Sequence, residues 1–140
     1  MVTNNFTFLS NDGKTAVHAV KWTPDSGEVK AILQITHGMV EFIERYLPFA
    51  EFLTTKGYMV VGHDHIGHGQ SVASKDDWGY FCEGSPSEIL IEDMHKLRTL
   101  TQDEYPVMPL VKVTLVMDAR CLYQGAPPVP MGRSKSSRVP

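Results

Sequence analysis

Residues 29–41 read V-K-A-I-L-Q-I-T-H-G-M-V-E, an apolar run that ends in His-Gly. A run of this kind is typical of a strand that is covered on both faces. Residues 58–71 read Y-M-V-V-G-H-D-H-I-G-H-G-Q-S and repeat the arrangement, a short apolar strand followed by a glycine-bearing polar turn. With a helix between them, the two runs predict parallel strands joined by a right-handed crossover.

The segment between the two runs has the periodicity of a helix. The regular part is predicted to start around Leu47, because Pro48 fits only the front of a helix, and to end at Lys56-Gly57. Four apolar residues at helical spacing form its expected buried stripe: Tyr46, Phe49, Ala50 and Leu53.

Outside this unit the chain predicts a hairpin before it and a second helix after it. Residues 3–9 and 15–22 are strand-like and are separated by the turn sequence S-N-D-G. Residues 64–84 are loop-like, and Ser85-Pro86 is expected to begin a helix with an N-cap serine and a proline in its first turn. Its buried stripe is predicted at Leu90, Met94, Leu97 and Thr101. Tyr105-Pro106 should end it, and residues 110–117 are a candidate strand.

Composition excludes several classes of function. The chain has 140 residues, 42% of them hydrophobic, and a net charge of −3 without clustered cations, so neither nucleic acid nor anionic lipid is an expected partner. Its two cysteines, Cys82 and Cys121, have no C-x-x-C spacing and are expected to be reduced thiols. No basic leader or long apolar segment is visible, which predicts a cytoplasmic protein without a transmembrane segment.

Two polar loops follow the predicted buried strands. The first loop is residues 37–41, H-G-M-V-E, and the second loop is residues 63–71, H-D-H-I-G-H-G-Q-S. In α/β sheets, ligands bind beyond the carboxyl ends of the parallel strands. We therefore expect both loops to face one crevice.

At these loops the chain resembles the monoacylglycerol lipases and bacterial lysophospholipases of the α/β-hydrolase fold. Those enzymes carry H-G-x-x-E after one strand and D-x-x-G-H-G-x-S after the next, and the likeness covers residues 1–109. It implies an α/β fold that represents the N-terminal part of the α/β-hydrolase domain. It also implies a serine hydrolase acting on the esters of monoacylglycerol or lysophospholipid, with a small lipid or ester substrate and no cofactor or metal.

The first loop has the composition of half an oxyanion hole. Ester hydrolysis passes through a tetrahedral oxyanion, which backbone N–H groups stabilise. Gly38 permits a sharp turn with no Cβ facing the substrate, so the N–H of Met39 is the expected donor. The resemblance implies that His37 only shapes the loop. Glu41 is expected to brace the loop, paired with Arg45, rather than to act as an acid catalyst. The competing interpretation of His37-Gly38 after the strand is a plain turn.

The second loop is open to three interpretations. Its His63, Asp64, His65 and His68 are good metal ligands, but their order differs from the H-x-H-x-D-H of metallo-hydrolases. Ser71 is a possible nucleophile by type, yet residues 69–73 do not form the G-x-S-x-G elbow. The resemblance instead implies a structural loop without metal, whose members are Asp64, His65, Gly67, His68, Gly69 and Ser71.

The resemblance ends where the nucleophile is expected. The family has G-H-S-M-G after a short strand, whereas residues 110–120 read L-V-K-V-T-L-V-M-D-A-R. We therefore expect this chain to lack the nucleophile, acid and base of the triad and to be inactive alone. Residues 110–140 are predicted to form a divergent segment of the kind that a frameshift produces, largely disordered and rich in Pro and basic residues from Ala126.

A half-fold would expose an apolar strand edge, so self-association through that edge is expected. Two other functions stay open at this point. One is a non-catalytic binding or interaction protein that reuses the half-fold. The other is a metal-dependent hydrolase that uses the cluster from His63 to His68.

Overall fold

The computed structural model describes residues 1–72 and 74–114. These residues form an α/β structure whose strands and helices alternate after an opening hairpin. Its elements are β1 (Val2–Leu9), β2 (Ala16–Thr23), β3 (Ala31–Thr36), α1 (Leu47–Thr55), β4 (Tyr58–His63), α2 (Pro86–Glu104) and β5 (Leu110–Thr114). Short 3-10 turns lie at Ile43–Tyr46, Gly69–Ser71 and Lys75–Asp77.

The strands form one mixed sheet in the order β1-β2-β4-β3-β5. The hairpin strands β1 and β2 are antiparallel, and β2 pairs antiparallel with β4. The strands β3 and β4 are parallel, in register from Ala31 opposite Tyr58 to Thr36 opposite His63. The predicted pair of parallel strands is thereby confirmed, and both loops leave the sheet at the same end.

The sheet is covered on both faces, each by one helix. On one face, Leu97 of α2 belongs to a buried cluster with Met59 and Val61 of β4. On the other face, Ala50 of α1 packs with Val60 of the same strand and with Trp22. Alternation along β4 therefore sends successive side chains into two separate cores, which explains why the strand reads as continuously apolar.

The helices follow the predicted periodicity with two differences. The stripe of α2 is buried as predicted and also includes Asp93. Ser85 occupies the predicted N-cap position, although its side chain makes no capping hydrogen bond. In α1, Ala50 is buried whereas Phe49 is 43% exposed, because the helix presents Thr54 rather than Phe49 to the sheet.

The edge strand β5 begins at Leu110, as predicted, and pairs in parallel with β3. The predicted end of that strand at Met117 and the predicted disordered tail from Ala126 lie outside the described residues. Among the helices of the described residues, none has the length and apolar character required to cross a membrane.

Candidate active site

The two loops are joined by the side chain of His37. The backbone N–H of His65 donates to Nε2 of His37 at 3.0 Å. Because Nε2 accepts, the ring proton resides on Nδ1, which donates to the carbonyl of Gly38 at 2.7 Å. In return, Nε2 of His65 lies 3.2 Å from the carbonyl of His37. Both rings are buried, and burial lowers the pKa of each below its ordinary value, so both are neutral imidazoles.

Glu41 closes the first loop from its other end. One of its carboxylate oxygens accepts from the N–H of Gly38 at 3.2 Å and also from the hydroxyl of Tyr46. These hydrogen bonds, that of Tyr46 foremost, lower the pKa of Glu41. Burial, together with the same bond, raises the pKa of Tyr46 to about 12. Arg45 approaches Glu41 only to 3.9 Å, so the tyrosine is the nearer partner.

The N–H of Met39 is left free by this arrangement. It donates to no acceptor within residues 1–72 and 74–114. The peptide joining Gly38 to Met39 is trans, so its N–H points opposite to its C=O. Since His37 holds the Gly38 carbonyl inward, the Met39 N–H is directed outward, and the Met39 side chain is 50% exposed.

His68 forms a second link between the loops. Its Nδ1 lies 3.0 Å from the carbonyl of Ile66, and its Nε2 contacts the carbonyl of Met39. The ring is buried beside Phe81, at 5.0 Å between ring centroids, and beside His37 at 5.5 Å. Each loop therefore supplies an acceptor to one imidazole.

Asp64 is a buried carboxylate that binds groups from several elements around both loops. Its carboxylate accepts from the N–H of Ile43 at 2.7 Å and from the N–H of Gln70 at 2.8 Å. Nδ1 of His18, on β2, lies 3.1 Å from the same carboxylate. Asp64 is fully buried, and these donors offset the loss of hydration of its charge. The aspartate thus ties the hairpin, the 3-10 turn before α1 and the second loop together.

The glycines of the second loop are required by close packing. Gly69 has φ of +48°, and a Cβ there would lie 2.2 Å from the Asp64 carboxylate. Gly67 has φ of +75°, and its Cβ would lie 2.2 Å from the carbonyl oxygen of Tyr80. A side chain at either position would collide with its neighbour, in a backbone conformation that favours glycine.

Ser71 lies within the 3-10 turn Gly69–Ser71 rather than on a strand-to-helix elbow. Its buried hydroxyl donates to the carbonyl of Asp64 at 2.8 Å and accepts from the N–H of His18 at 2.9 Å. With both bonds made, the hydroxyl links β2 to the second loop. No imidazole within the described residues lies in hydrogen-bond contact with it.

The histidines that suggested a metal do not converge. Among the described residues, the one group whose ligand atoms lie within 4.8 Å of each other is His18, Glu44 and Asp64. This group shares only Asp64 with the predicted cluster, and its histidine and aspartate already pair with each other. His63 stands apart: both of its ring nitrogens lack a hydrogen-bond partner within the described residues. Complete burial lowers the pKa of His63 to about 3.

His18 is the site residue that sequence reasoning missed. It lies on β2 between Val17 and Ala19, both buried, and is itself 6% exposed. An ionisable residue inside an apolar strand indicates a buried polar partner, so the signal was present. The sequence did not identify that partner, because Asp64 lies 46 residues away along the chain.

Comparison with known proteins agrees with this geometry. The family described as "Serine aminopeptidase, S33" matches residues 27–115. The chain is 32% identical to the monoglyceride lipase of Rattus norvegicus over 89 residues, which are 64% of this chain and 27% of that enzyme. It is 38% identical to the monoglyceride lipase homolog of Monkeypox virus over 84 residues, covering 58% of this chain and 29% of the homolog. It therefore spans less than a third of these relatives.

Solved structures give the same result for the fold. A thermostable carboxyl esterase from Bacillus coagulans superimposes with a TM-score of 0.70 at 32% identity, covering 80% of this chain and 36% of the esterase. The alternation of strands and helices, the paired loops and the family match over residues 27–115 together identify the chain as a member of the serine aminopeptidase S33 family of lipase- and esterase-type α/β-hydrolases.

Proposed function

We propose that this chain contributes the oxyanion half of the active site of a carboxylic-ester hydrolase, with the N–H of Met39 as the donor. The observation that carries the proposal is an amide without a partner in the described residues, on a loop whose neighbouring carbonyl is held by His37. A donor that is aimed before the substrate arrives needs no reorganisation when negative charge develops.

We further propose monoacylglycerol or lysophospholipid as the substrate class. The relatives support this choice, since they are named monoglyceride lipases. Two half-exposed apolar side chains in or directly after the first loop, Met39 and Phe42, suit an acyl chain better than a polar peptide.

Within this proposal the 140-residue chain does not itself hydrolyse esters. The printed sequence has no G-x-S-x-G segment, and the hydroxyl of Ser71 is buried in two hydrogen bonds. An activated serine must be exposed and must contact a base. A fluorophosphonate probe applied to the purified chain should label no serine, and stoichiometric labelling of Ser71 would overturn this part of the proposal.

The role of Met39 can be tested in a chimera. Residues 27–109 replace the matching segment of the Rattus norvegicus monoglyceride lipase, and ester hydrolysis is measured. Met39→Pro removes the N–H, while Met39→Ala keeps it and shortens only the side chain. We expect kcat to fall roughly 100-fold or more in the proline variant and to change little in the alanine variant. Equal activity of both variants would remove Met39 from the oxyanion hole.

The boundaries of the unit belong to the same proposal. We propose that residues 1–109 are the α/β-hydrolase part and that residues 110–140 diverge from it. Within the described residues β5 pairs with β3 alone, and Val111 is 55% exposed. Self-association through that edge should therefore appear in light scattering as a mass above that of one chain. A strictly monomeric chain at high concentration would argue against it.

A further inference from the structure

His68 lies between two carbonyl oxygens, and that placement has a chemical consequence. Nδ1 lies 3.0 Å from the oxygen of Ile66, and Nε2 contacts the oxygen of Met39. A carbonyl oxygen only accepts, whereas a neutral imidazole has one N–H and one lone pair. In the neutral form, one of the two contacts would set a lone pair against a carbonyl oxygen. Only the imidazolium donates to both.

We infer that His68 is a positioning residue that clamps the first loop to the second loop as a doubly protonated imidazolium. The clamp acts on the backbone of Met39, the residue whose N–H is the proposed oxyanion donor. A role of His68 in catalysis therefore rests on the proposed function. His68 touches no reacting atom.

The surroundings of His68 suit a cation. The Phe81 ring lies 5.0 Å away between centroids, within the distance at which an aromatic ring attracts a positive charge. The two nearest imidazoles, His37 at 5.5 Å and His65 at 6.3 Å, are neutral and add no positive charge. Glu41 and Asp64 are the carboxylates that interact with the neighbouring His37 ring. A charge on His68 therefore faces one aromatic ring and two neutral imidazoles, and the two carboxylates lie next to the His37 ring.

The clamp completes the restraint of the first loop. The Gly38 carbonyl is held by His37, the Gly38 N–H by Glu41, and the Met39 carbonyl by His68. The first two restraints fix the peptides before Met39, and His68 fixes the peptide after it. The Met39 N–H belongs to the peptide that His37 holds, and the peptides on both sides of it are held by Glu41 and His68, which is the condition for a preorganised donor.

Ring-nitrogen NMR of the full 140-residue chain tests the charge state. The chain is labelled with 15N-histidine, and the His68 signals are assigned by their loss in His68→Gln. We expect two protonated ring nitrogens for His68 at neutral pH and one, Nδ1, for His37. If the chain self-associates, magic-angle spinning of sedimented protein gives the same readout. A neutral His68 ring at neutral pH would overturn the inference.

Hydrogen exchange of the Gly38 N–H tests the clamp. We expect exchange to be roughly tenfold faster in His68→Gln, since a charge-assisted hydrogen bond to the loop is lost. The matched control is His95→Gln, because His95 is an exposed histidine on α2. Unchanged exchange in folded His68→Gln would also overturn the inference, and if that variant unfolds, the wild-type ring spectrum decides alone. The proline and alanine variants at position 39 test the oxyanion role separately.

Discussion

The N–H of His65 lies 3.0 Å from Nε2 of His37, and this single bond fixes the chemistry of the first loop. It places the proton of the His37 ring on Nδ1, from which it is donated to the Gly38 carbonyl. A histidine whose two nitrogens are both engaged has no lone pair available as a general base. Its effect is conformational, because the orientation of one carbonyl determines the direction of the Met39 N–H.

Two substitutions at His37 separate its two bonds. Asparagine can place an amide N–H near the position of Nδ1, and glutamine can place an oxygen near the position of Nε2. In the chimeric lipase we expect His37→Gln, which frees the Gly38 carbonyl, to lower kcat roughly tenfold, and His37→Asn to lower it less. In hydrogen exchange the order reverses: the His65 N–H should exchange faster in His37→Asn than in His37→Gln. The same order in both measurements would contradict the assigned tautomer.

Buried neutral histidines predict a loss of stability in mild acid. The folded pKa of His63 is about 3, against 6.5 for the unfolded chain, so between these values the unfolded state binds a proton that the folded state does not. The contribution of His63 to the free energy of unfolding is therefore full well above pH 6.5 and falls as the pH decreases, by about 2 kcal/mol at pH 5. The lowered pKa values of His37 and His65 act in the same direction.

Urea unfolding at pH 7 and pH 5 measures this effect, and His63→Phe is the matched variant. Phenylalanine retains a ring beside Phe8, which His63 contacts at 5.8 Å between centroids, but it cannot bind a proton. We expect the variant to lose about 2 kcal/mol less than the wild type between the two pH values. An identical pH dependence in both proteins would show that His63 is not the titrating group.

The elements of this fold were predictable because their signals are local. Leu90, Met94 and Leu97 repeat at the spacing of one helix face, and the apolar runs ending in His37 and His63 define parallel strands. The meeting of the two loops followed from the rule that the carboxyl ends of parallel strands share one sheet edge. Periodicity and topology were therefore sufficient to predict that the two loops lie together.

The partners of the buried polar side chains were not predictable, because they are distant in sequence. Asp93 accepts from the hydroxyl of Ser10 at 2.6 Å and from the N–H of Asn11 at 2.7 Å, across more than 80 residues. The spacing of the apolar residues in α2 shows only which helix face is buried. An aspartate on that face has no partner that the local sequence can identify. Its burial depends on a turn of the hairpin that no local pattern links to the helix.

Asp64→Asn should be among the most damaging single substitutions in this chain. The asparagine keeps the shape but loses the charge, and its amide N–H₂ would face backbone donors such as the Ile43 N–H at 2.7 Å. We expect a loss of about 3 kcal/mol, measured by urea unfolding or by susceptibility to a protease. Asp76→Asn is the control, because Asp76 is exposed and should change stability by less than about 0.5 kcal/mol. Equal effects would show that the Asp64 charge is not needed.

Gly69→Ala tests whether the second loop is built around the Asp64 carboxylate. Position 69 has φ of +48° and a Cβ there would lie 2.2 Å from that carboxylate, so alanine meets both backbone strain and a collision with a buried group. Gly84→Ala is the matched control, because position 84 has φ of +85° but nothing within 4 Å of the added Cβ. Backbone strain alone should cost the control about 1 kcal/mol, whereas Gly69→Ala should cost roughly 2 kcal/mol more, since Asp64 must leave its donors. If the two alanine variants unfold at the same urea concentration, the carboxylate has room to move, and the glycine is required only for its backbone conformation.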